Sequence, residues 1–201
     1  MDTEIIRLAD PGGPERALKA GSEILKRGGV VLLPTDTVYG LAVDGRNPAA
    51  VARVYRIKRR PPEKPLVRLV ADLETVIPLL GSPARVRLLE KFWPGALTVI
   101  LKAPEGESRG YRIPDHNLVR ELIRAAGVEL AATSANRSGE PVITSPGEAG
   151  IFAGEVELIV DGGTLSGAAS TVLDLSVSPF RVHREGPVTE TEIRRILGAG
   201  D

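Results

Sequence analysis

The sequence predicts a single α/β domain built on one principal sheet, and three observations carry that prediction. Short apolar runs alternate along the chain with amphipathic stretches of helical period, the pattern of buried strands covered by helices. Hydroxyl-rich polar stretches follow two of those runs, at the position where open α/β sheets place ligands. The third is bulk: 201 residues, 42% hydrophobic and 26% charged, suffice to bury a core and are too apolar and too balanced in charge for disorder. No internal repeat or low-complexity linker divides the chain, so residues 1–201 read as one domain. Whether the strands run parallel or mixed stays open from the pattern alone.

Residues 14–27 are the first predicted helix. Ala17, Leu18, Gly21, Ile24 and Leu25 recur at helical spacing, Pro14 suits a first turn and Gly28-Gly29 a stop. The apolar run 30–33, ended by Pro34, reads as a buried strand. Thr35-Asp36-Thr37-Val38-Tyr39-Gly40 leaves it, and 41–43 resumes the apolar pattern before the Asp44-Gly45 turn. A second helix over 48–58 has Val51, Val54, Tyr55 and Lys58 at spacings of three and four. A strand over 66–70 and helices over 72–80 and 82–92 follow, then Trp93-Pro94-Gly95 breaks the pattern before a strand over 96–101. The stretch 102–110, with Pro104, Gly106 and Gly110, is the most loop-like part of the chain and a candidate mobile flap. After Arg112-Ile113-Pro114, a helix carrying Leu118, Val119, Leu122, Ile123 and Ala126 ends at Gly127. A strand over 128–132 empties into Thr133-Ser134-Ala135-Asn136-Arg137-Ser138-Gly139. A short helix near 146–152 and strands over 156–160, 171–175 and 180–183 come next. A helix over 190–197 closes the chain, with a capping box of Thr189 and Glu192.

Composition narrows the chemistry. Lys+Arg 26 against Asp+Glu 26 give no net charge, so a polyanion must be met by a local patch. Cysteine is absent, which excludes disulfides, thiolate metal sites and a cysteine nucleophile and fits a reducing compartment. Met1-Asp2-Thr3-Glu4 opens with acids rather than an apolar signal core, and no stretch approaches the ~18 apolar residues of a membrane span. The expected location is the cytoplasm, with no membrane partner.

Against this neutral background, Lys58-Arg59-Arg60-Pro61-Pro62-Glu63-Lys64-Pro65 gathers four cations and three prolines in eight residues. Proline removes conformational freedom that binding would otherwise have to remove, so the segment suits a fixed anion site, with a solvated charged face as the alternative. Within the local sequence Arg53, Arg56, Lys58, Arg59, Arg60, Lys64 and Arg68 meet only Glu63 among acids, which extends the positive field along the second helix. Neither G-x-x-x-x-G-K-[ST] nor G-x-G-x-x-G is present, so a nucleotide would be held without those fingerprints. The 133–139 stretch offers hydroxyls and an amide to phosphate, ribose or base, although it and 35–40 also suit ordinary turns. His116 and His183 are too few for a His-rich metal site and read as capping or packing residues, and Trp93 reads as core. Ser134 lacks a G-x-S-x-G elbow, which argues against acyl-enzyme chemistry.

Taken in order, several short pieces resemble one family. They are Pro34-Thr35-Asp36-Thr37-Val38-Tyr39-Gly40-Leu41, Lys58-x-Arg60-Pro61, Lys64-Pro65-Leu66, Trp93-Pro94-Gly95, Arg112-Ile113-Pro114, Ser134-Ala135-Asn136-x-Ser138-Gly139, Ser170-Thr171-Val172 and Arg184-x-Gly186. Their order and spacing resemble the YrdC-like family of threonylcarbamoyl-adenylate synthases in its short single-domain form. The resemblance implies a twisted mixed sheet with helices on its faces around a large basic cavity. It also implies an activity in which L-threonine, bicarbonate and ATP, with Mg²⁺, give threonylcarbamoyl-AMP and pyrophosphate for tRNA modification, in concert with partner proteins. Carried over by position, Thr37, Arg112, Ala132 and Ser170 would hold threonine, while Arg60, Lys64, Ser134, Asn136 and Arg184 would hold ATP. Lys58 and Arg60 would stabilise charge during transfer, with no protein nucleophile and no metal site on the protein. Ser108 falls opposite a further nucleotide contact, and Arg59, at the variable position, is expected outside the site. Leu69 stands where many members carry histidine and Val142 where some carry serine. The alternative reading is an RNA-binding or ribosome-maturation relative without synthesis, which the basic helix around Arg53 and Arg56 permits. A carbamoyl-transferring relative is a third possibility.

Overall fold

The computed structural model describes residues 2–198. The first half comprises β1 (Glu4–Arg7), α1 (Gly13–Lys26), β2 (Val31–Leu33), β3 (Gly40–Asp44), α2 (Pro48–Lys58), β4 (Val67–Leu69), α3 (Ile77–Leu80), α4 (Pro83–Phe92) and β5 (Leu97–Lys102). The second half adds β6 (Ser108–Arg112), α5 (Asn117–Ala126), β7 (Leu130–Ser134), α6 (Pro146–Ala149), β8 (Leu158–Asp161), β9 (Thr171–Asp174), β10 (Arg181–Arg184) and α7 (Glu190–Leu197). Among the described residues all ten strands join one sheet in the order β1-β8-β2-β3-β7-β4-β6-β5-β9-β10. Four of the pairings are parallel, β1 with β8, β2 with β8, β4 with β6 and β5 with β9, and the rest are antiparallel, so the sheet is mixed.

Local chemistry accounts for most element ends. Asn47 caps α2 by accepting from the backbone N–H groups of Ala49 and Ala50, and Gly127 closes α5 in the left-handed region at φ 64°. Thr189 and Glu192 form the expected capping box on α7. Arg59 ends α2 at φ 51°, a left-handed conformation that an arginine adopts only under constraint. Here the Arg60 N–H donates to Tyr55 O at 2.9 Å, which turns the chain out of the helix.

Some elements differ from the expectation. The helix over 72–80 splits into a 3₁₀ turn, Leu73–Thr75, and the single turn of α3, because Pro78 supplies no N–H for a continuous ladder. β7 starts two residues later than the apolar run and carries Thr133 and Ser134 inside the strand. The stretch 102–110 forms the hairpin between β5 and β6. Lys102 pairs with Ser108, and the turn closes through Ala103 N–H to Glu107 O and Gly106 N–H to Ala103 O, both 2.8 Å. β6 and the edge strand β1 had no counterpart in the apolar-run pattern, since charged residues interrupt both.

Three apolar clusters pack against the sheet. Leu25 of α1 and Leu122 of α5 cover one face of the β1–β8–β2–β3–β7 half with Val31 and Leu158, while Val54 of α2 and Phe152 cover the other with Leu32 and Leu41. In the β6–β5–β9 half, Leu88 and Leu89 of α4 and Ile193 of α7 pack on Leu97, Val99, Tyr111 and Leu173. Strand alternation turns the intervening residues Thr98, Ile100, Gly110, Arg112, Val172 and Asp174 to the opposite face, where they line a cavity. No helix among the described residues is long and apolar enough to cross a membrane.

Candidate functional site

The cavity encloses about 450 Å³ over β7, β4, β6, β5 and β9, roofed by the Pro34–Tyr39 loop, the segment before β4 and the chain around Ala169. Sheet register organises its floor. Leu69 pairs with Arg112, and continuing the Val99–Tyr111 pairing by one residue sets Thr98 opposite Arg112, with Val172 beyond. Arg184 of β10 pairs with Val172 and completes this row.

Arg112 anchors one end. It is 6% exposed, yet its guanidinium is well supplied with acceptors. Nε donates to Gly95 O at 2.9 Å, Nη1 to Thr37 Oγ1 at 2.9 Å and Nη2 to Asp36 Oδ1 at 2.7 Å. Burial pushes its pKa down and Asp36 opposes that push. The loop delivering Asp36 and Thr37 is held by Thr35, whose Oγ1 accepts from the N–H groups of Thr37 and Val38 and donates to Val38 O at 2.7 Å. Beside Arg112, the hydroxyls of Thr98 and Ser170 lie 2.9 Å apart, and Arg184 Nε donates to Ser170 O at 2.9 Å. Gly186 permits that approach, because a Cβ there would sit 2.3 Å from Ala169 O.

The other end is built on a buried lysine. Lys58 is 1% exposed, and its Nζ donates to Ser134 O at 2.7 Å, Asn136 O at 3.0 Å and Asn136 Oδ1 at 2.5 Å. Among the described residues no carboxylate pairs with it. Burial, with Arg60 adding to it, lowers its pKa to about 8. Asn136 is in turn saturated, since its Nδ2 donates to Arg137 O and Glu140 O while Oδ1 also accepts from Ser134 Oγ at 2.7 Å. Arg60 folds back on its own turn, donating to Lys64 O at 2.8 Å and Pro65 O at 3.1 Å, and burial lowers its pKa.

The cavity wall thus gathers Thr37, Arg112, Ala132, Ser170, Arg60, Ser134 and Arg184, together with Ser108, Leu69 and Val142. It does not include Lys58, Lys64 or Asn136. Lys58 and Asn136 lie beneath Ser134 as a brace, and Lys64 is exposed, contributing its carbonyl to Arg60. Arg59 is exposed and off the wall, as expected.

Some cavity residues were not singled out by sequence reasoning. Thr98 was marked only by being the one hydroxyl in an apolar strand. Asp174 lies on the wall and is held by Ser176 N–H and Oγ, at 2.9 and 2.6 Å, with His183 Nε2 3.0 Å away. Burial pushes the Asp174 carboxyl up, but the bonds from Ser176 and His183 outweigh it and hold its pKa below the usual range. His183 therefore supports a carboxylate rather than a cap. His116 stands at the N-cap of α5 without making a side-chain cap bond, its buried Nδ1 has no partner among the described residues, and burial pushes its pKa down. Trp93 is core, with Nε1 donating to Leu97 O at 2.6 Å. The positive field along α2 is interrupted where Arg53 pairs with Glu157 at 2.5 Å, and farther along the chain Arg68 of β4 pairs with Glu129 at 3.0 Å. Arg137 pairs with Glu155 close by. That removes much of the case for α2 as a nucleic-acid stripe.

The chain is similar to known proteins in sequence and in overall fold. A family model, Sua5_yciO_yrdC, described as "Telomere recombination", matches residues 23–186. A threonylcarbamoyl-AMP synthase of Bacillus subtilis (strain 168) is 38% identical over 87% of this chain, which spans 55% of that relative's length. The crystal structure of P. abyssi Sua5 complexed with L-threonine superposes with a TM-score of 0.89 at 32% identity, over 98% of this chain and 62% of that one. E. coli YciO superposes at 0.85 with 25% identity, over 95% of this chain and 99% of its own. Matched by the family model over most of its length and by these relatives in sequence and fold, the chain belongs to the Sua5/YciO/YrdC family.

Proposed function

We propose that this protein is an L-threonylcarbamoyladenylate synthase that makes threonylcarbamoyl-AMP and pyrophosphate from L-threonine, bicarbonate and ATP. The observation that carries the reading is a single cavity in which an arginine already paired to a carboxylate, Arg112, stands apart from Arg60, whose guanidinium donates to the Lys64 and Pro65 carbonyls. The B. subtilis relative's name and the threonine in the P. abyssi Sua5 structure support it.

Arg112 commits three of its five N–H groups to Gly95, Thr37 and Asp36, which leaves two for the threonine carboxylate. The Thr98–Ser170 hydroxyl pair and Ala132 border the same space and fit the amino acid's polar groups and its methyl. At the far end Arg60 and Ser134 face the nucleotide, Lys58 with Asn136 keeps Ser134 in place from beneath, and Arg184, held on Ser170 O, reaches the phosphates from the Arg112 side of the cavity. The threonine amine adds to the bicarbonate carbon with loss of water, and a carbamate oxygen then attacks the α-phosphorus. Pyrophosphate departs with the electron pair of the broken bond. The protein's part is alignment and charge neutralisation, as for phosphoryl transfer in general.

Magnesium carried on ATP would screen the phosphates. The site fits such an ion, because Asp174 offers an ionised carboxylate to the cavity. Among the described residues no group of three or more acids, histidines or cysteines could hold a metal, so phosphate and water would supply its other ligands. We place the activity in the cytoplasm, with the labile product passing to a tRNA-modifying partner. The test is incubation with ATP, bicarbonate and radiolabelled threonine. Threonine-dependent pyrophosphate and a labelled adenylate are expected, and the absence of both overturns the reading.

A further inference from the structure

Midway between the two ends, the cavity floor carries a glycine that the fold itself does not require. Gly110 lies inside β6, and its φ is outside the left-handed region. A Cβ built on it would meet Thr98 Cγ2 at 3.5 Å and Val67 Cγ2 at 3.6 Å, both ordinary van der Waals contacts. Thr98 and Val67 are themselves cavity residues, so that Cβ would point into the cavity. Glycine in a strand interior gives up packing and loses more chain entropy on folding than any other residue. Where neither backbone angle nor crowding demands it, the space above it is open to a group from outside the chain.

Position along the strand says which part of a ligand that group is. Gly110 pairs with Ile100 on β5, and the β4–β6 register continued by one residue sets Val67 on its other side. The result is an apolar bed with bare backbone at its centre. Arg112 and Ser108 are four residues apart on the same strand, about 13 Å at the usual rise, with Gly110 halfway. On the neighbouring β7, Ala132 lies beside the bed and Ser134 one step towards the Arg60 end.

We infer that this bed is where the two halves of the product join, and that Gly110 is a specificity-determining position for that junction. It admits one continuous ligand, an N-carboxylated amino acid bonded to a nucleoside monophosphate, running from Arg112 to Arg60 and Ser134. The inference rests on the synthase reading. The bond that forms there runs from a carbamate oxygen to the α-phosphorus, and the one that breaks runs from that phosphorus to the bridging oxygen retained by pyrophosphate. The attacking oxygen and the phosphorus must approach to contact distance, so a branched side chain at position 110 leaves each substrate its own end and blocks their meeting.

The experiment compares wild type, Gly110→Ala and Gly110→Val by melting temperature, by calorimetric titration with threonine alone and ATP alone, and by pyrophosphate release. Gly110→Val should melt no lower than wild type, since a β-branched residue suits a strand. It should bind each ligand alone as wild type does and lose about 100-fold or more in turnover, chiefly in kcat. Gly110→Ala should show a smaller loss of the same kind. Wild-type turnover in Gly110→Val overturns the inference. So does a loss of affinity for one ligand alone that matches the loss of turnover, because the bed then holds that ligand's own body. If Gly110→Val fails to fold, unchanged turnover in Gly110→Ala overturns it. A wild-type protein that binds neither ligand overturns the synthase reading, and this inference with it, whatever the variants do.

Discussion

Arg112 is buried beside a carboxylate, whereas Lys58 is buried among neutral oxygens. Asp36 offsets the Arg112 charge within the protein, so that end is ready for a substrate carboxylate with no change of protonation. Lys58 has three strong acceptors and, among the described residues, no counter-ion, and its pKa falls to about 8. One end therefore keeps its charge by pairing, while the other carries a charge whose balance must come from outside. A site for a small carboxylate and a site for a polyanion would differ in this way, since only the polyanion brings enough charge to settle an unpaired cation.

The strongest way to break this contrast is to remove the arginines separately. Arg112→Ala leaves Asp36 without its cation and should lose roughly 3–5 kcal/mol of stability together with threonine binding. Arg60→Ala, at a less buried position, should weaken ATP by roughly 2 kcal/mol and leave threonine binding intact. Calorimetric titration of both ligands against both variants decides, and equal losses everywhere would dissolve the two-ended map.

Lys58 supplies the next effect, and its sign follows from linkage. The folded pKa of about 8 lies below the ordinary 10.5, so the unfolded chain binds more protons between those values and stability rises as pH climbs through that window. The full shift corresponds to roughly 3 kcal/mol. Urea unfolding at pH 7.5 and at pH 10 should show this rise in wild type and a flatter response in Lys58→Met. Matching slopes in the two proteins would mean that Lys58 keeps an ordinary pKa.

Thr98→Val should have the smallest effect. It keeps the shape of the floor and removes the hydroxyl that faces Ser170, so threonine affinity should fall by about 1 kcal/mol with ATP unchanged. A variant that loses ATP and keeps threonine would move the hydroxyl pair to the nucleotide end.

Much of the scaffold was legible in the residues. The spacing in 48–58 and 190–197, the cap at Thr189 and the stop at Gly127 all rest on contacts within a turn or two of helix. β6 was hidden because Ser108, Gly110 and Arg112 face a cavity rather than a core, so the strand lacks the apolar alternation by which strands are recognised. Of the site, the segments carrying Arg60 and Ser134 stood out by charge and hydroxyl content, Arg112 was reached through the family resemblance, and Thr98 and Asp174 were reached only through the sheet.

The same division runs through the basic segment. Lys58 recurs at helical spacing with Val51 and Val54 but was read as part of an anion site, and only the fold shows it buried. Its partners were hidden as well, because Ser134 and Asn136 lie 76 and 78 residues away. Arg53 met no acid in its own neighbourhood of sequence, yet in the fold it pairs with Glu157, 104 residues on. Spacing and local chemistry settled where helices begin and end, since those depend on backbone groups a few residues apart. Which charges are neutralised, which way the strands run and where the cavity opens were settled by the folded chain, because each depends on groups that only long-range pairing brings within contact.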